Sequence, residues 1–356
     1  MATITKIEFF PFEVPLRKPF RIATMVTSAA RGVFVRVELD EEFVGWGEAN
    51  PLHSINGETQ ETVMASMPFL RHILLDQTVS PDEVHYLMNK MLPSQVAAIS
   101  AVDMAVIDAF CHIDEVRLCD YFGGENNELN TDLTIPIVGP DEAKVKAQEV
   151  IYAGHSIIKV KLGGGVENDV ARVSAVRDQV GSEIKIRVDA NQAYALPEAH
   201  KLLNQLEKFD IQFCEQPVRR DDLEGMAFLT KRSPIPIMAD ESCFSLFDAH
   251  LLVEKEACHM INIKLSKAGG LYEAYDIAQF AADHNIPCMM GGMVETRLGV
   301  TAAAHLAAAC PNIVYYDLDA HHEHLSSSIS GVELLQNGKA VLPTGYGIGV
   351  KPIGVG

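Results

Sequence analysis

Basic residues are scarce in this 356-residue chain. It has 29 Lys and Arg against 48 Asp and Glu, a formal net charge of −19 at pH 7. Nucleic acids and anionic membrane surfaces attract positively charged proteins, so this deficit argues against both as partners. It does not exclude small anionic ligands, because the charge at one site need not follow that of the whole chain. The expected partner is therefore a small-molecule substrate.

Cysteine pairs and long apolar runs are also missing. The 7 cysteines are scattered without a Cys-x-x-Cys pair, which is typical of reduced core residues. The first 13 residues carry neither a basic start nor an apolar run, so no signal peptide is predicted. The most apolar later stretch, residues 301–309, is too short to span a bilayer. These absences predict a cytoplasmic protein without a membrane segment; we also expect a homo-oligomer.

Motifs for nucleotide binding and serine catalysis are absent as well. The glycines at 163–165 lack the Lys-Ser/Thr ending of a phosphate-binding loop, and the Gly-rich residues 345–349 do not open a helix. No Gly-x-Ser-x-Gly occurs, so acyl transfer by serine is unsupported. The chemistry must come from other residues.

The first 124 residues have the pattern of a separate α+β unit. Strand-like runs at 4–15, 31–40 and 43–48 predict an antiparallel meander. Residues 58–119 are helical in pattern, with Ser80 predicted as an N-cap before Pro81.

Eight short apolar runs then alternate with amphipathic helical segments. The runs are 133–138, 157–162, 184–188, 211–214, 235–238, 260–263, 286–290 and 313–316. Strands that alternate with helices form parallel sheets, and eight repeats favour a closed βα barrel over an open sheet. The Gly-rich segment after residue 324 is expected to return to the N-terminal unit.

Two lysines, Lys159 and Lys161, lie in the second of these strands. Side chains alternate along a strand, so both lysines face the same way. An edge strand with two solvated lysines is the ordinary alternative, but the flanking residues are apolar on both faces. Since lysine is almost never fully buried without a partner, the strand predicts partners of opposite charge.

Three carboxylates stand at equivalent places on the next strands. Asp189, Glu215 and Asp240 end strands three, four and five, one βα unit apart. In a barrel, catalytic groups come from these strand ends. Each carboxylate alone is more typical of helix capping, but three in register facing lysines predict a metal site. Ligands that are all oxygen favour Mg²⁺.

Lys264 ends strand six, opposite Lys161 in a ring of eight. One lysine is then placed to remove the α-proton of a metal-bound substrate carboxylate, and the other to return a proton on the opposite face. The metal would stabilise the enediolate between the two steps. Burial and neighbouring cations can lower a lysine pKa enough for this role. Lys159 is expected to stay charged, to polarise the carboxylate and to depress the pKa of Lys161.

These features together resemble the enolase superfamily, in its muconate-lactonizing-enzyme subgroup. The matching sequence motifs are Lys159-Val160-Lys161, Val188-Asp189-Ala190-Asn191-Gln192, Glu215-Gln216-Pro217, Ala239-Asp240-Glu241-Ser242 and Ile261-Asn262-Ile263-Lys264. The resemblance covers the whole chain and implies an α/β fold, a modified (β/α)7β TIM-type barrel with an N-terminal α+β capping domain. The capping domain would be residues 1–124, the catalytic barrel 125–324, and 325–356 a C-terminal segment returning to the cap.

Within this subgroup, Asp317-Leu318-Asp319 at the end of strand eight resembles the Asp-x-Asp signature of dipeptide epimerases. The resemblance implies that Asp317 and Asp319 hold the α-ammonium group of a dipeptide. Mg²⁺ would hold the C-terminal carboxylate, whose α-carbon is inverted. A free amino terminus indeed suits carboxylate acceptors. Strand-end capping alone is the alternative for this short motif. Asn191 and Glu295, at the ends of strands three and seven, are also expected to bind substrate.

One position departs from the best-known members, which act on Ala-Glu and hold the Glu side chain with an arginine in a capping-domain loop. Counting from Pro19-Phe20, that position is Met25 here. Methionine cannot pair with a carboxylate and offers an adaptable apolar wall. A neutral or hydrophobic C-terminal residue is therefore expected, unless Arg21 or Arg31 takes over the arginine's role.

Other readings of the same residues remain open. N-acylamino acid racemase, o-succinylbenzoate synthase and cycloisomerases share the metal and the lysines, and only the Asp-x-Asp argues against them. A non-catalytic relative would have lost part of the catalytic set, and none is missing. His321, His322 and His324 are too crowded for one tidy metal site. They are expected to be solvated or to line the pocket for the dipeptide's amino-terminal side chain.

Overall fold

The computed structural model describes residues 1–355. The chain begins with an antiparallel sheet in the order β3-β2-β1-β4. Its strands are β1 (Ala2–Arg21), β2 (Val26–Leu39), β3 (Phe43–Ala49) and β4 (Thr78–Val79). All three predicted strands are present, but β1 and β2 run further than expected because Phe20 still pairs with Thr27 and Arg21 with Val26. The segment that contains Met25 is thus the tip of a long hairpin.

Four helices complete this unit. They are α1 (Gln60–Leu74), α2 (Pro81–Met91), α3 (Val96–Ile113) and α4 (Leu118–Tyr121). The predicted start of α2 is confirmed: the backbone N–H of Ser80 donates to Glu83 Oε2 at 2.9 Å. This bond satisfies one of the amides that a helix start leaves unpaired.

The centre of the unit is α3. By length and composition it is the one helix among the described residues that is apolar enough to cross a membrane, but 83% of it is buried inside the protein. This helix, and not the run at 301–309, is therefore the longest apolar stretch among the described residues, which corrects the expectation from the sequence. A Cβ at Gly45 or Gly47 would lie 2.0 Å from a backbone oxygen of this helix, so only glycine lets β3 pack so closely.

Eight parallel strands follow, in simple sequence order across the sheet. They are β6 (Leu133–Ile135), β7 (Ile157–Lys161), β8 (Lys185–Asp189), β9 (Ile211–Glu215), β10 (Ile237–Ala239), β11 (Met260–Ile263), β12 (Cys288–Met290) and β13 (Ile313–Tyr316); a short β5 (Glu128–Asn130) precedes them. The predicted barrel is confirmed. β6 ends before Pro136, and β10 and β12 begin after Pro236 and Pro287, because proline has no N–H for the ladder.

Helices cover the outside of this sheet. They are α5 (Pro140–Tyr152), α6 (Val166–Val180), α7 (Leu196–Leu206), α8 (Leu223–Arg232), α9 (Leu246–Glu254), α10 (Leu265–Ala268), α11 (Leu271–Asp283) and α12 (Arg297–Ala309), with 3₁₀ turns at Glu207–Phe209 and Ala320–Glu323. The sheet's two outer strands meet where Asp132 N donates to Tyr316 O at 3.3 Å.

The floor of the barrel is apolar with one embedded cation. Phe213, Met238, Met260 and Met289 form a buried cluster. The Arg187 guanidinium lies 5.3 Å from the ring centre of Phe213 and 5.2 Å from that of Tyr315. Aromatic faces stabilise a cation that has left water, so the floor can carry this charge beneath the polar layer above it.

The last segment contacts both parts of the chain. It contains β14 (Ile329–Ser330), β15 (Leu335–Gln336), β16 (Lys339–Val341) and β17 (Lys351–Pro352). β16 pairs with β5, while Leu325 N donates to Pro15 O and Ile348 N to Asp108 Oδ1. The predicted domain boundaries at 124 and 324 stay predictions.

Buried carboxylates join the first unit to the barrel. Glu48 accepts hydrogen bonds from Thr296 N at 2.7 Å and Gly299 N at 3.0 Å, and so caps the start of α12. His85 of α2 lies between Asp103 of α3, at 3.2 Å, and Glu273 of α11, at 3.5 Å. Burial opposes a charge on His85, but these two carboxylates outweigh it and raise its pKa to about 9.

This interface predicts a pH-dependent stability. The proton held by His85 stabilises the folded chain fully below the unfolded pKa of 6.5, and that contribution is lost as pH rises through about 9. Replacing His85 with Gln should lower the free energy of unfolding by roughly 3 kcal/mol at pH 6 and much less at pH 10. Urea unfolding at both pH values measures it. The exposed His72→Gln is the control, and an equal loss at both pH values would contradict the assignment.

Candidate active site

All five residues of β7 are buried, including both lysines. The parallel register sets Lys161 opposite Asp189, and Asp189 opposite Glu215. Strand pairing alone therefore gathers two of the predicted carboxylates and a lysine at one end of the barrel. This layer stands at the carboxyl ends of the strands, as predicted.

Lys159 is the most enclosed of these cations. Its Nζ lies 2.7 Å from Asp317 Oδ2, 2.8 Å from Glu215 Oε2 and 3.2 Å from Asp189 Oδ2. Burial disfavours the ammonium form, but the carboxylates outweigh it and raise the pKa of Lys159 well above its usual value. The expectation that Lys159 stays charged agrees with this environment.

The other two predicted lysines each contact one carboxylate. Lys161 Nζ lies 2.5 Å from Asp189 Oδ2, and Lys264 Nζ lies 2.8 Å from Asp240 Oδ2. Burial would lower the pKa of Lys264, but Asp240 and Glu215 outweigh it and raise that pKa. The expected lowering by burial and neighbouring cations is therefore not what Lys264 shows here, since carboxylates surround it more closely than cations do.

Lys267 belongs to the same layer and was missed by the sequence analysis. Its Nζ lies 2.6 Å from Asp240 Oδ1 and 3.0 Å from the carbonyl oxygen of Asn262. Burial opposes the charge on Asp240, but Lys264 and Lys267 hold its pKa well below the usual range. The available signal was spacing, because a lysine three residues after Lys264 lies on the same side of a helical turn.

Several oxygens around the predicted metal set lack a hydrogen-bond partner among the described residues. They are Glu215 Oε2, Glu241 Oε2 and Asn191 Oδ1. Lys159 is 2.8 Å from the first of these, but not in the direction of a hydrogen bond. Burial, with Asp189 adding to it, raises the pKa of Glu215 to about 8. Unpaired buried oxygens in a negative field suit a hard cation, so these residues fit Mg²⁺.

A second group of carboxylates is more tightly gathered. One oxygen each from Asp132, Asp317 and Asp319 lies within 4.8 Å of the others. Asp132 pairs with Arg187 at 2.8 Å, and Asp319 Oδ2 accepts from Thr134 N at 2.7 Å. Sequence reasoning found the two strand-end aspartates but not Asp132, which precedes the first barrel strand.

Lys161 and Lys264 line one cavity with the hairpin tip above them. Its other lining residues are mostly apolar: Phe20, Ile22, Met25, Thr27, Leu52, Ile55, Asn191, Gly292, Met293 and Val294. Met25 and Asn191, both predicted to bind substrate, thus line the same cavity as the two lysines. Arg21 and Arg31 do not line this cavity, and Arg31 instead contacts Glu13 at 3.1 Å.

Glu295 is not brought into this cavity. It is buried, and its Oε2 accepts from Met293 N at 2.5 Å, which fixes the loop after β12. His324 is also buried, so the expectation of a solvated histidine is wrong for this residue.

An α+β cap over a parallel barrel, with lysines and carboxylates at the strand ends, is the architecture of the enolase superfamily. Residues 4–123 match the mandelate racemase / muconate lactonizing enzyme N-terminal domain, and residues 142–353 match the enolase C-terminal domain-like family. The chain belongs to the mandelate racemase / muconate lactonizing enzyme family. The predicted superfamily and fold are confirmed.

Several similar proteins within this family are dipeptide epimerases. A hydrophobic dipeptide epimerase of Enterococcus faecalis is 38% identical over 95% of this chain and 96% of its own. An L-Ala-D/L-Glu epimerase of Bacillus subtilis is 36% identical over 89% of this chain and 88% of its own. The structure of the dipeptide epimerase from E. faecalis with Mg and L-Leu-L-Tyr superposes with a TM-score of 0.95 at 36% identity, over 98% and 99% of the two chains. These relatives confirm the predicted enzyme class, an isomerase.

The contacts of Lys267 predict a large structural cost for its removal. Lys267→Met would remove a donor from the Asp240 carboxylate and from the backbone carbonyls of Asp240 and Asn262 in the barrel interior. Breaking a buried ion pair costs roughly 3–5 kcal/mol. Urea unfolding should show that loss, whereas Lys255→Met, which removes an exposed pair with Glu224, should stay near wild type. Equal stability of the two variants would contradict the reading of Lys267.

Proposed function

We propose that this protein is a dipeptide epimerase that inverts the α-carbon of the C-terminal residue. The observation that carries this proposal is the cavity that Lys161 and Lys264 line from opposite sides of the barrel, beneath mostly apolar residues of the cap. β7 and β11 are four strands apart in a sheet of eight, which is the largest separation such a ring allows. Two lysines so placed can address the two faces of one carbon.

Asp189, Glu215 and Asp240 would hold Mg²⁺, with Asn191 and Glu241 supplying the unpaired oxygens beside them. When bound there, Mg²⁺ supplies positive charge that offsets the carboxylates around Lys264 and stabilises the substrate carboxylate as its α-proton leaves. Oxygen-only ligands on rigid strand ends support this assignment.

The charge balance of the second carboxylate group supports ammonium binding. Asp132 is paired with Arg187 and Asp317 with Lys159, whereas Asp319 has a backbone amide as its partner. One negative charge is thus left without a cation. Burial and the neighbouring Asp317 raise the pKa of Asp319 to about 7, and they raise the pKa of Asp132 as well, so this group holds more negative charge than its cations offset. A single α-ammonium group would restore the balance, whereas N-acyl amino acids carry none.

The lysines would then divide the proton transfer. One accepts the α-proton on one face through its neutral Nζ, and the other donates a proton from its Nζ to the opposite face. Lys159 would remain charged below them and keep the substrate carboxylate polarised. The carboxylate-rich surroundings of Lys264 suit the donating form in the unliganded enzyme.

The residues of the cap that line the cavity support a preference for the type of side chain at the substrate's C-terminal residue. Among the described lining residues, Lys161 and Lys264 are the only charged groups, and both are assigned to the α-carbon. Met25, Leu52 and Ile55 stand where the substrate side chain would lie. A buried carboxylate there would find no partner, which costs several kcal/mol. Neutral or hydrophobic C-terminal residues are therefore favoured over Glu.

Two lysine variants test the mechanism. Lys161→Ala and Lys264→Ala should each lower epimerisation at least 10²-fold, because general acid–base groups typically contribute about 10²–10⁴. In D₂O, each variant should keep α-proton exchange with one epimer at most, namely the one whose proton faces the remaining lysine. Mass spectrometry of Ala-Leu epimers measures the exchange.

The matched control is Lys185→Ala, at the exposed start of β8. It should exchange both epimers like wild type. Wild-type exchange by Lys161→Ala would overturn the two-lysine mechanism. Turnover of N-acetyl-leucine without any turnover of dipeptides would instead favour the N-acylamino acid racemase alternative.

Substrate preference is tested at the hairpin tip. Wild type should process Ala-Leu and Ala-Phe with higher kcat/KM than Ala-Glu. Met25→Arg should raise the ratio of kcat/KM for Ala-Glu over Ala-Leu at least tenfold, because it brings a partner for the substrate carboxylate. Met25→Leu is the control and should keep the wild-type order. A wild-type preference for Ala-Glu would refute the assignment of Met25.

A further inference from the structure

A second, larger cavity lies between β1, the start of α12 and the segment after residue 324. It has a volume of about 290 Å³ and is separate from the lysine cavity, with which it shares no lining residue. Most of its lining residues are polar or charged: Arg17, Thr296, Arg297, His321, His322, His324, Ser326, Ser327, Ser328 and Glu333, with Leu325, Ile329 and Leu335. The proposed epimerase reaction uses none of these residues.

The fixed charges of this wall are positive on balance, against the sign of the whole chain. Glu333 already has partners on both sides, with Arg297 Nη1 at 2.8 Å and His321 Nε2 at 3.1 Å. These partners, His321 first, hold the pKa of Glu333 down to about 2. Arg17 uses its Nε to donate to the carbonyl of His324 at 3.1 Å. Its two terminal amino groups have no protein acceptor among the described residues.

Unpaired polar atoms concentrate around the same cavity. Arg297 Nε, His321 Nδ1, His324 Nε2 and Ser328 Oγ are buried without a hydrogen-bond partner among the described residues. Arg297 and His324 are each more than nine-tenths buried. Because native proteins pair nearly all buried polar groups, such a concentration indicates a missing polar partner. A guanidinium and hydroxyls call for an acceptor-rich group.

A metal ion does not fit these groups. The histidines form no ligand cluster within 4.8 Å in the described part of the chain. Two guanidinium groups beside them would also repel a cation. An anion with several acceptor oxygens is the chemistry that this wall matches.

We propose that this cavity binds a small oxyanion, of the phosphate or carboxylate class, through Arg17, Arg297 and the serine hydroxyls of 326–328. The oxyanion is either a free ion or the acidic side chain of a dipeptide's first residue, since His321 follows the ammonium-binding Asp319 by two positions. The free-ion form stands apart from the proposed epimerase activity, and only the side-chain form rests on it.

Phosphate titration tests the site directly. Wild-type protein should bind inorganic phosphate in a calorimetric titration, and Arg17→Met should weaken that affinity at least tenfold. Arg17 is an exposed side chain, so this variant is expected to fold. Lys18→Met, the adjacent exposed lysine that does not line the cavity, is the charge-matched control and should bind as wild type does.

Epimerisation of Glu-Leu and its neutral isostere Gln-Leu separates the two sources. If an acidic side chain enters the cavity, Arg17→Met should lower kcat/KM for Glu-Leu at least tenfold but leave Gln-Leu unchanged, and phosphate should compete with Glu-Leu. If a free ion is the ligand, Arg17→Met should change kcat/KM for Glu-Leu and Gln-Leu equally, while its affinity for phosphate still falls. Unchanged phosphate affinity in Arg17→Met together with an unchanged Glu-Leu to Gln-Leu ratio would overturn the proposal. If the protein epimerises no dipeptide, the phosphate titration still tests the cavity. Failure of the proposed epimerase function can therefore be distinguished from failure of the oxyanion site.

Discussion

A buried network of ammonium and carboxylate groups is the constraint on which the rest of this structure depends. Lys159 contacts three carboxylates, and Lys161 contacts one of these, Asp189. Lys264 and Lys267 both contact Asp240. Taking any one of these ions out of water is costly, and only opposite charges at hydrogen-bonding distance offset the cost. The barrel must therefore keep its strand register, because a shift of one residue would turn these side chains out of the interior.

The division of labour between the two parts of the chain follows from this network. Rigid parallel strands can hold charges to within a few tenths of an ångström, whereas the hairpin tip and the 52–55 loop contribute apolar surface that tolerates change. In the proposed function, the barrel thus carries the catalytic groups and the cap selects the substrate. The two must stay docked, and Glu48 and the His85 cluster provide buried polar contacts for that purpose.

Most of the fold could be predicted from the sequence, since eight apolar runs separated by helical segments leave few alternatives to a barrel. The positions of Lys161, Lys264 and the three carboxylates proposed to hold the metal could be predicted too, because each stands at or directly after the end of a strand and their spacing matches the repeat. Lys267, Asp132 and Arg187 were not singled out. Asp132 precedes its strand and Arg187 lies inside one, and both gain meaning only from partners far away in sequence. The run at 301–309 was expected to be the most apolar later stretch, whereas α3 is a longer apolar helix and is mostly buried.

Local patterns of alternation and spacing encode the order of strands, the residue types at their ends and the apolar character of position 25, so these features could be predicted from the chain. Tertiary structure alone decided which carboxylate each lysine contacts, that Glu295 supports a loop instead of entering the cavity, and that His321, His322 and His324 line a separate cavity beside two arginines. These outcomes depend on distances between elements remote in the chain. Electrostatic energy depends on such distances, and no local pattern specifies them.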